Sequence, residues 1–384
     1  MIPYWRLSGY YFFYFAFIGA FSPYFSLYLQ SIGSSAAQIA MLMSLMSVMR
    51  MLAPTMWGWL ADRLGVRAPI VRLSALLSLI GFTGFLVSDT YAVLFLSMVF
   101  LAFFWSAALP LVETLTFAHL GDRVGRYGNI RVWGSVGFIV AVLGLGYLLD
   151  GLPVRAVLWI SLATLAGILF CAMTIPEART PPAPEGHVAL GEILSLPHVR
   201  ALFAACFFMS AAHGALYVFY SVHLVASGYS KSLVGWMWTL GVVAEICVFM
   251  GMPQLLRTYS LRNILIFSFV AAVLRFGLIG WGAESLGLLL FAQVLHGATF
   301  GAYHSAAVAA VNRWFGVRHQ ARGQALYGSI SFGAGGMIGG VISGYTWERV
   351  GPEWTYSLGS LFAFLGLLVL VGGWQQRSTA RDDR

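Results

Sequence analysis

Charged residues are scarce in this chain of 384 residues: Asp, Glu, Lys and Arg together make up 9% of it, and hydrophobic residues make up 59%. A soluble domain carries roughly 25% charged residues. The composition therefore excludes an ordinary soluble protein and indicates one that crosses a membrane several times. The three cysteines, Cys171, Cys206 and Cys247, all lie in apolar stretches, so neither disulfide bonds nor a zinc site are expected.

Motifs for catalysis are missing as well. The sequence contains no His-Glu-x-x-His, Cys-x-x-Cys or Gly-x-Ser-x-Gly, the patterns that would supply metal ligands or a nucleophile. We therefore expect a protein that is not an enzyme and that needs neither a cofactor nor a metal. The formal net charge of +8 would favour a nucleic-acid partner in a soluble protein. In a membrane protein it reports topology instead, and no nucleic-acid partner is expected.

Long apolar runs dominate what is present. Twelve of them lie near 8–29, 36–60, 69–88, 91–118, 131–149, 155–175, 198–226, 231–256, 262–282, 286–312, 323–346 and 355–374. Each is close to the roughly 20 residues that a bilayer-spanning helix requires. We predict an all-α membrane protein with twelve transmembrane helices.

A proline-rich segment, 176–197, separates the first six apolar stretches from the last six. We interpret it as a cytoplasmic linker between two six-helix bundles, residues 1–175 and residues 198–384. A short internal similarity agrees with this division, because Trp133-Gly-Ser opens the fifth stretch and Tyr327-Gly-Ser opens the eleventh. Parallel repeats of this kind imply a substrate cavity near the bilayer midplane and alternating access to it.

The basic residues are distributed unevenly between alternate loops. If both termini are cytoplasmic, the outside loops contain only Arg155, Lys231 and Arg349, whereas the inside segments hold most of the other arginines. This bias follows the positive-inside rule. It predicts a multi-pass protein of a bacterial-type inner membrane with both termini in the cytoplasm.

The loop at 58–67 has the form Gly-x-x-x-Asp-Arg-x-Gly-x-Arg. We expect Gly58 to let two helices approach closely, Asp62 to face the positive end of a helix and Gly65 to permit a tight turn. Arg63 and Arg67 would remain at the cytoplasmic face. Such a loop can act as a conformational latch that holds two helix ends together in one state and releases them in another.

Ionisable side chains inside apolar stretches are expensive and by default mark a functional pathway. Counted along the helices at about 1.5 Å per residue, Glu245, Arg275 and His296 fall at a similar depth in the C-terminal half. A carboxylate beside an arginine and a histidine suits proton coupling. Two structural alternatives stay open, a static ion pair between Glu245 and Arg275 and a neutral His296 bonded between helices.

In the N-terminal half, Glu113 and Arg131 lie on adjacent stretches joined by a short loop, and Arg50 adds a cation at middle depth. Glu113 could accept hydrogen bonds from sugar hydroxyls, and Arg131 could hold a substrate carboxylate through two parallel hydrogen bonds. Arg50 either contacts substrate or neutralises Glu113. Tyr14 and Tyr217 are further candidates to contact substrate, with a packed or lipid-facing position as the alternative.

The loop at 58–67 resembles the signature of the major facilitator superfamily. Segments 12–15, 18–25, 111–113 and 128–134 are similar, in the same order, to the lactose permease family, and segments 241–245, 274–276, 293–296 and 299–300 are closer to the phenylpropionate permease family. The resemblance covers essentially the whole chain. It implies a transporter in which Glu113 and Arg131 contact substrate and in which Glu245, Arg275 and His296 form a coupling network.

Two departures from the lactose permease family bear on the substrate. That family has a coupling carboxylate three residues after the histidine of the tenth span, where this chain has Thr299, and its eighth-span carboxylate directly follows a glycine, whereas Glu245 lies four residues after Gly241. We therefore expect a monomeric, proton-coupled importer of a small organic acid, in particular an aromatic carboxylate such as 3-phenylpropionate. The alternative is a proton symporter of a neutral sugar or nucleoside. An excess of cations over carboxylates in the spans favours the anion.

Overall fold

The structure is a computed structural model that describes residues 2–178 and 190–374, and no strand occurs among them. The helices are α1 (Tyr4–Ser31), α2 (Ala36–Leu64), α3 (Ala68–Val87), α4 (Tyr91–Leu120), α5 (Tyr127–Gly151), α6 (Ala156–Thr174), α7 (Leu190–Ser195), α8 (Pro197–Ala212), α9 (Gly214–Ala226), α10 (Lys231–Thr258), α11 (Leu261–Trp281), α12 (Leu286–Val294), α13 (Tyr303–Gly328) and α14 (Gly336–Gly373). A 3-10 turn, Gly121–Arg126, joins α4 to α5. Two π-helical turns, Gly297–Ala302 and Ser329–Gly335, precede α13 and α14.

Ten helical stretches of the described chain are long and apolar enough to cross a bilayer. The sequence predicts twelve crossings, and the difference lies in two long stretches, Tyr91–Gly151 with 61 residues and Arg322–Gly373 with 52 residues. Each has at least twice the length of roughly 20 residues that one crossing requires. Their backbones leave the helical conformation at Arg123 (φ −93°, ψ 34°) and at Gly351 (φ 87°, ψ 168°).

Local sequence explains how the helices around the loop at 58–67 begin and end. Ser35 and Gln38 form a capping box at the start of α2, because the amide of Gln38 donates to Ser35 Oγ at 3.2 Å and the amide of Ser35 donates to Gln38 Oε1 at 3.0 Å. The helix ends at Gly65, whose φ of 68° is left-handed. The expected tight turn at Gly65 is therefore present.

The chain forms two compact units. Among the described residues, 2–178 and 228–236 belong to the first unit, and 190–227 and 237–374 belong to the second. In the first unit α1 packs against α5 and α6, and α4 packs against α2 and α3; in the second, α14 packs against α8, α9 and α11. Most of the predicted linker, 179–189, lies outside the described residues, while its last part contains the short helix α7.

Glycines allow the closest helix contacts in the first unit. A Cβ atom added to Gly137 of α5 would lie 2.1 Å from the carbonyl oxygen of Phe12 on α1, and one added to Gly19 of α1 would lie 2.5 Å from the carbonyl oxygen of Phe138. Both neighbours are backbone atoms, which no side-chain rotation can remove. The contact between α1 and α5 therefore depends on glycine at both positions.

We expect Gly137→Val to lower the stability of the protein by about 1–3 kcal/mol, the usual effect of overpacking, because α1 and α5 must separate. Gly144→Val on the same helix is the matched control, since a Cβ atom at Gly144 meets no heavy atom within 4 Å. The measurement is thermal unfolding of the two purified variants in the same detergent. Equal unfolding midpoints for the two variants would contradict the assigned contact.

Candidate functional site

Arg131 is a half-buried cation held between aromatic rings in the first unit. Its Cζ atom lies 4.0 Å from the centre of the Phe15 ring and 5.7 Å from the centre of the Tyr11 ring, and both rings belong to α1. Within residues 2–178 and 190–374, no carboxylate oxygen lies within 4.0 Å of this guanidinium. Arg131 thus keeps hydrogen-bond donors that an anion could use.

Glu113 lies on α4 and accepts a hydrogen bond from the Tyr127 hydroxyl at 3.3 Å. The ring of Tyr127 stacks on Phe117, with the ring centres 4.7 Å apart and the planes inclined by 19°. Tyr127 stands one helical turn before Arg131 on α5. Its hydrogen bond to Glu113 therefore joins the two helices that carry the expected substrate residues Glu113 and Arg131. The Glu113 side chain is half-buried, and its carboxylate accepts this hydrogen bond from the Tyr127 phenol.

Two other predicted substrate residues of this unit differ in their surroundings. Tyr14 is only 3% exposed and stacks almost parallel on Trp105, with a centre distance of 4.6 Å and an angle of 6°. Arg50 is exposed on α2. In the described chain Arg50 forms no ion pair with Glu113, so the structure does not support the idea that it neutralises this carboxylate.

Arg275 of α11 is the most deeply buried cation of the second unit, with 1% of its surface exposed. Its Nε donates to the carbonyl oxygen of Ala292 at 2.9 Å. Its Nη1 donates to Thr299 Oγ1 at 3.2 Å, and its Nη2 donates to Gln293 Oε1 at 3.2 Å. Three neutral oxygens on and beside the first π-helical turn therefore surround the guanidinium.

His213, between α8 and α9, is a fourth partner of Arg275. Its Nδ1 lies 2.8 Å from the carbonyl oxygen of Met209, so that this nitrogen must carry the proton and donate. Its Nε2 is then left to accept from Nη1 of Arg275 at 3.4 Å. The two contacts together require a neutral imidazole with the proton on Nδ1.

Glu245 and His296 lie side by side, as their similar predicted depth indicates. Oε2 of Glu245 on α10 is 3.6 Å from Nε2 of His296. The contact depends on Gly297, since a Cβ atom there would be 2.8 Å from the carbonyl oxygen of Ala244. Nδ1 of His296 is buried and has no hydrogen-bond partner among the described residues.

Tyr217 adjoins the same cluster through His213. Its ring is near-parallel to the His213 ring at 5.8 Å and 26°, and to the Trp238 ring at 6.4 Å and 20°. The side chain is half-buried. This predicted substrate residue therefore stands beside the Arg275 cluster of the second unit.

In the latch loop Asp62, which we expected to face the positive end of a helix, pairs with the Arg67 side chain, and another carboxylate lies at the start of α3. Nη2 of Arg67 pairs with Oδ1 of Asp62 at 2.6 Å, and the Arg63 guanidinium lies 5.3 Å from the Trp59 ring centre. The carboxylate at the start of α3 belongs to Glu177, which accepts from the amides of Arg67 and Ala68 at 2.8 and 2.9 Å.

Gly58 makes no close helix contact in this structure, and its part in the latch stays a prediction. A Cβ atom added to Gly58 would meet no heavy atom within 4 Å, because this face of α2 points into open space. The absence of a side chain at Gly58 therefore does not serve a close helix contact here.

Several residues of the two clusters escape sequence reasoning. Gln293 and Thr299 are buried in the structure, and the signal available in the sequence was their polar character within an apolar stretch. Phe15 and Tyr11 give no signal, because aromatic residues are abundant throughout the chain. No group of three or more His, Cys, Asp or Glu side chains in the described part of the chain could hold a metal ion.

A family model described as the MFS_1 like family matches residues 4–358. The chain belongs to the MFS_1-like family. A protein of Escherichia coli (strain K12) named "Probable 3-phenylpropionic acid transporter" is 30% identical over 356 residues, which are 90% of this chain and 92% of that protein. The resemblance to major facilitator transporters and to phenylpropionate permeases is thereby confirmed.

Other relatives of this MFS_1-like protein are also transporters. The maltose permease of Geobacillus stearothermophilus is 26% identical over 383 residues, covering 98% of this chain and 95% of that protein. The crystal structure of the nucleoside transporter NupG matches with a TM-score of 0.82 at 18% identity, covering 98% of this chain and 100% of that chain. The protein is thus a multi-pass membrane transporter of a small molecule. The likeness to the NupG structure concerns the fold alone.

We expect Arg275→Met to destabilise the protein by about 3 kcal/mol or more, because the lost charge-assisted bonds leave buried acceptors without donors. Arg257→Met is the matched control, since Arg257 is an exposed arginine of the same unit. Thermal unfolding in detergent compares the two. An unchanged or higher midpoint for Arg275→Met would show that the buried charge weakens the fold.

Proposed function

We propose that this MFS_1-like protein imports a small organic carboxylate, in particular an aromatic one such as 3-phenylpropionate, in symport with protons by alternating access. The observation that carries the proposal is Arg131, a cation with no carboxylate within 4.0 Å in the described chain and with the rings of Phe15 and Tyr11 beside it. The name of the relative from Escherichia coli supports the same substrate class.

Arg131 combines the two features that an aromatic carboxylate requires. A planar guanidinium binds a carboxylate through two parallel hydrogen bonds. Phe15 and Tyr11 do not use up those N–H groups as a carboxylate would, because the Cζ atom of Arg131 lies over their rings and a cation–π contact needs no hydrogen-bond acceptor. The half-buried ring of Phe15 also offers an apolar surface for the aryl group of the same molecule, whereas Tyr11 is fully buried behind the guanidinium site.

The proton would bind at the pair formed by Glu245 and His296. Nε2 of His296 lies 3.6 Å from Oε2 of Glu245, and Nδ1 of His296 has no hydrogen-bond partner in the described chain. A proton taken up by this pair turns the imidazole into a cation that the carboxylate stabilises, and its release restores a neutral imidazole. Arg275 sits nearby as a fixed positive charge with neutral partners, so we assign it a positioning role in proton coupling.

The topology proposed for this mechanism has twelve crossings in two bundles, residues 1–175 and 198–384, joined by the linker at 176–197. The two long stretches would each supply two crossings, separated near Arg123 and Gly351 where the backbone leaves the helix. In this proposal the protein lies in a bacterial-type inner membrane, and the charge bias of the loops supports a cytoplasmic position for both termini. The latch loop at 58–67 would act at that face of a monomer.

A neutral sugar or nucleoside is the second candidate substrate. Glu113 favours it, because its carboxylate already accepts a bond from the Tyr127 hydroxyl at 3.3 Å and could accept one from a sugar hydroxyl in the same way. The similarity to a maltose permease points in the same direction.

The substrate class is tested by adding candidate substrates to right-side-out membrane vesicles and recording external pH. We expect the pH to rise with 3-phenylpropionate and to stay constant with lactose or a nucleoside, because only the symported molecule draws protons inward. A rise with the sugar or nucleoside alone would replace the carboxylate by the second candidate. Uptake of labelled 3-phenylpropionate without a pH change would instead contradict proton coupling.

We expect Arg131→Gln to raise the half-saturating concentration of 3-phenylpropionate by about 10- to 100-fold, the equivalent of about 1.5–3 kcal/mol for a bond to a charged group. Arg131→Lys should lie between this variant and the natural protein, because it keeps the charge but loses the paired geometry. Arg126→Gln, an exposed arginine of the 3-10 turn, is the control. An unchanged half-saturating concentration in Arg131→Gln would exclude Arg131 as the carboxylate site.

We expect Glu245→Gln to abolish accumulation of substrate against its gradient while exchange of external for internal substrate continues, because a neutral amide cannot stabilise the protonated imidazole of His296. Glu284→Gln in the exposed connection before α12 is the control. Accumulation and exchange are both measured with labelled substrate in vesicles. A Glu245→Gln protein that still accumulates substrate would place the coupling proton elsewhere.

A further inference from the structure

A groove lies on the surface of the first unit, where the first turn of α1 meets the last turn of α6. It has a volume of about 450 Å³ and is lined by Trp5, Arg6, Phe170, Cys171, Met173 and Thr174. None of these residues belongs to the substrate or coupling clusters. A molecule bound in this groove would therefore be distinct from the transported substrate.

The wall of the groove is apolar and open to the outside of the protein. Trp5 and Phe170 are each 71% exposed, and Met173 is 59% exposed. In a helix that crosses a bilayer, large apolar side chains with this exposure contact lipid acyl chains. The wall is thus suited to a hydrocarbon chain.

One end of the groove is positively charged. Nη1 of Arg6 donates to the carbonyl oxygen of Thr174 at 3.0 Å, and the described chain supplies no partner for its Nε and Nη2. Arg72 of α3 reaches the same helix end, donating to the carbonyl oxygens of Ala172 at 3.3 Å and Ile175 at 2.8 Å. Against these two guanidinium groups stand the half charge of the helix C-terminus and the carboxylate of Glu177, which the amides at the start of α3 already bind, so a positive charge remains.

Aromatic residues place this end of α1 at the depth of the lipid headgroups. Trp5 packs edge-on against Tyr4 at 5.0 Å and against Trp133 at 5.8 Å. The indole N–H of Trp133 donates to the Tyr4 hydroxyl at 3.1 Å, which in turn donates to the carbonyl oxygen of Asn129 at 3.0 Å. Amphipathic rings clustered at the ends of spanning helices mark the membrane interface.

We propose that this groove binds one anionic phospholipid, with its phosphate at Arg6 and one acyl chain along Phe170 and Met173. Charge complementarity selects an anionic over a zwitterionic lipid, because the cations at the end of α6 exceed the local negative charge. The positive-inside bias also assigns this end to the cytoplasmic leaflet, which is rich in anionic lipid. The site is independent of the proposed substrate and of proton coupling.

Native mass spectrometry of the detergent-purified full chain tests the site with phosphatidylglycerol and phosphatidylcholine of identical chains. We expect phosphatidylglycerol to bind more tightly than phosphatidylcholine. Arg6→Gln should lower the affinity for phosphatidylglycerol by about fivefold, the effect of about 1 kcal/mol per basic residue near a membrane surface. Arg126→Gln, an exposed arginine outside the groove, should leave the affinity unchanged. Addition of inorganic phosphate should not displace the lipid.

A second variant, Phe170→Ala, tests the acyl-chain wall and keeps the test informative if Arg6→Gln does not fold. It should weaken the binding of long-chain phosphatidylglycerol and leave the binding of a short-chain analogue unchanged. Equal affinity for both headgroups, or an equal loss of affinity in Arg6→Gln and Arg126→Gln, would overturn the proposal. So would unchanged binding of long-chain lipid by Phe170→Ala.

Discussion

A charge buried in a membrane protein must find its partners inside the protein, because the surrounding hydrocarbon offers none. Arg275 meets this constraint with four polar contacts, to Ala292, Gln293, Thr299 and His213. These contacts hold α11, the segment around the first π-helical turn and the junction of α8 and α9 in one arrangement. Arg131 is the contrasting case, since aromatic faces rather than carboxylates surround it. The contrast separates a cation that organises the protein from one that is available to an anion.

Close backbone contacts at glycine bring the functional side chains together in both units. Gly137 lets α1 approach α5, and the same contact places Phe15 and Tyr11 beside Arg131. Gly297 plays the corresponding part in the second unit, because its contact with the backbone of α10 places His296 within reach of Glu245. The chemistry of each cluster therefore depends on helix packing at a residue that carries no side chain.

Sequence reasoning found the charged members of both clusters because ionisable residues are rare in apolar stretches. It missed their neutral partners, since a glutamine, a threonine or a phenylalanine in such a stretch has no comparable rarity. The pattern at Gly58 is typical of close helix contact, but an added Cβ atom there would meet no heavy atom within 4 Å in this structure. Glu245 and His296, which the constant rise per residue of a helix predicts to lie at a similar depth, are 3.6 Å apart.

The sequence by itself determined the membrane location, the helical class and the family, because hydrophobicity, span length and a loop motif are all properties of local sequence. Only the tertiary structure decided which partner each buried charge has. Glu245 meets His296, Arg275 meets neutral acceptors, and Arg131 meets aromatic rings. The physical reason is that pairing depends on the rotation of each helix about its axis and on contacts between residues far apart in the chain, and composition constrains neither.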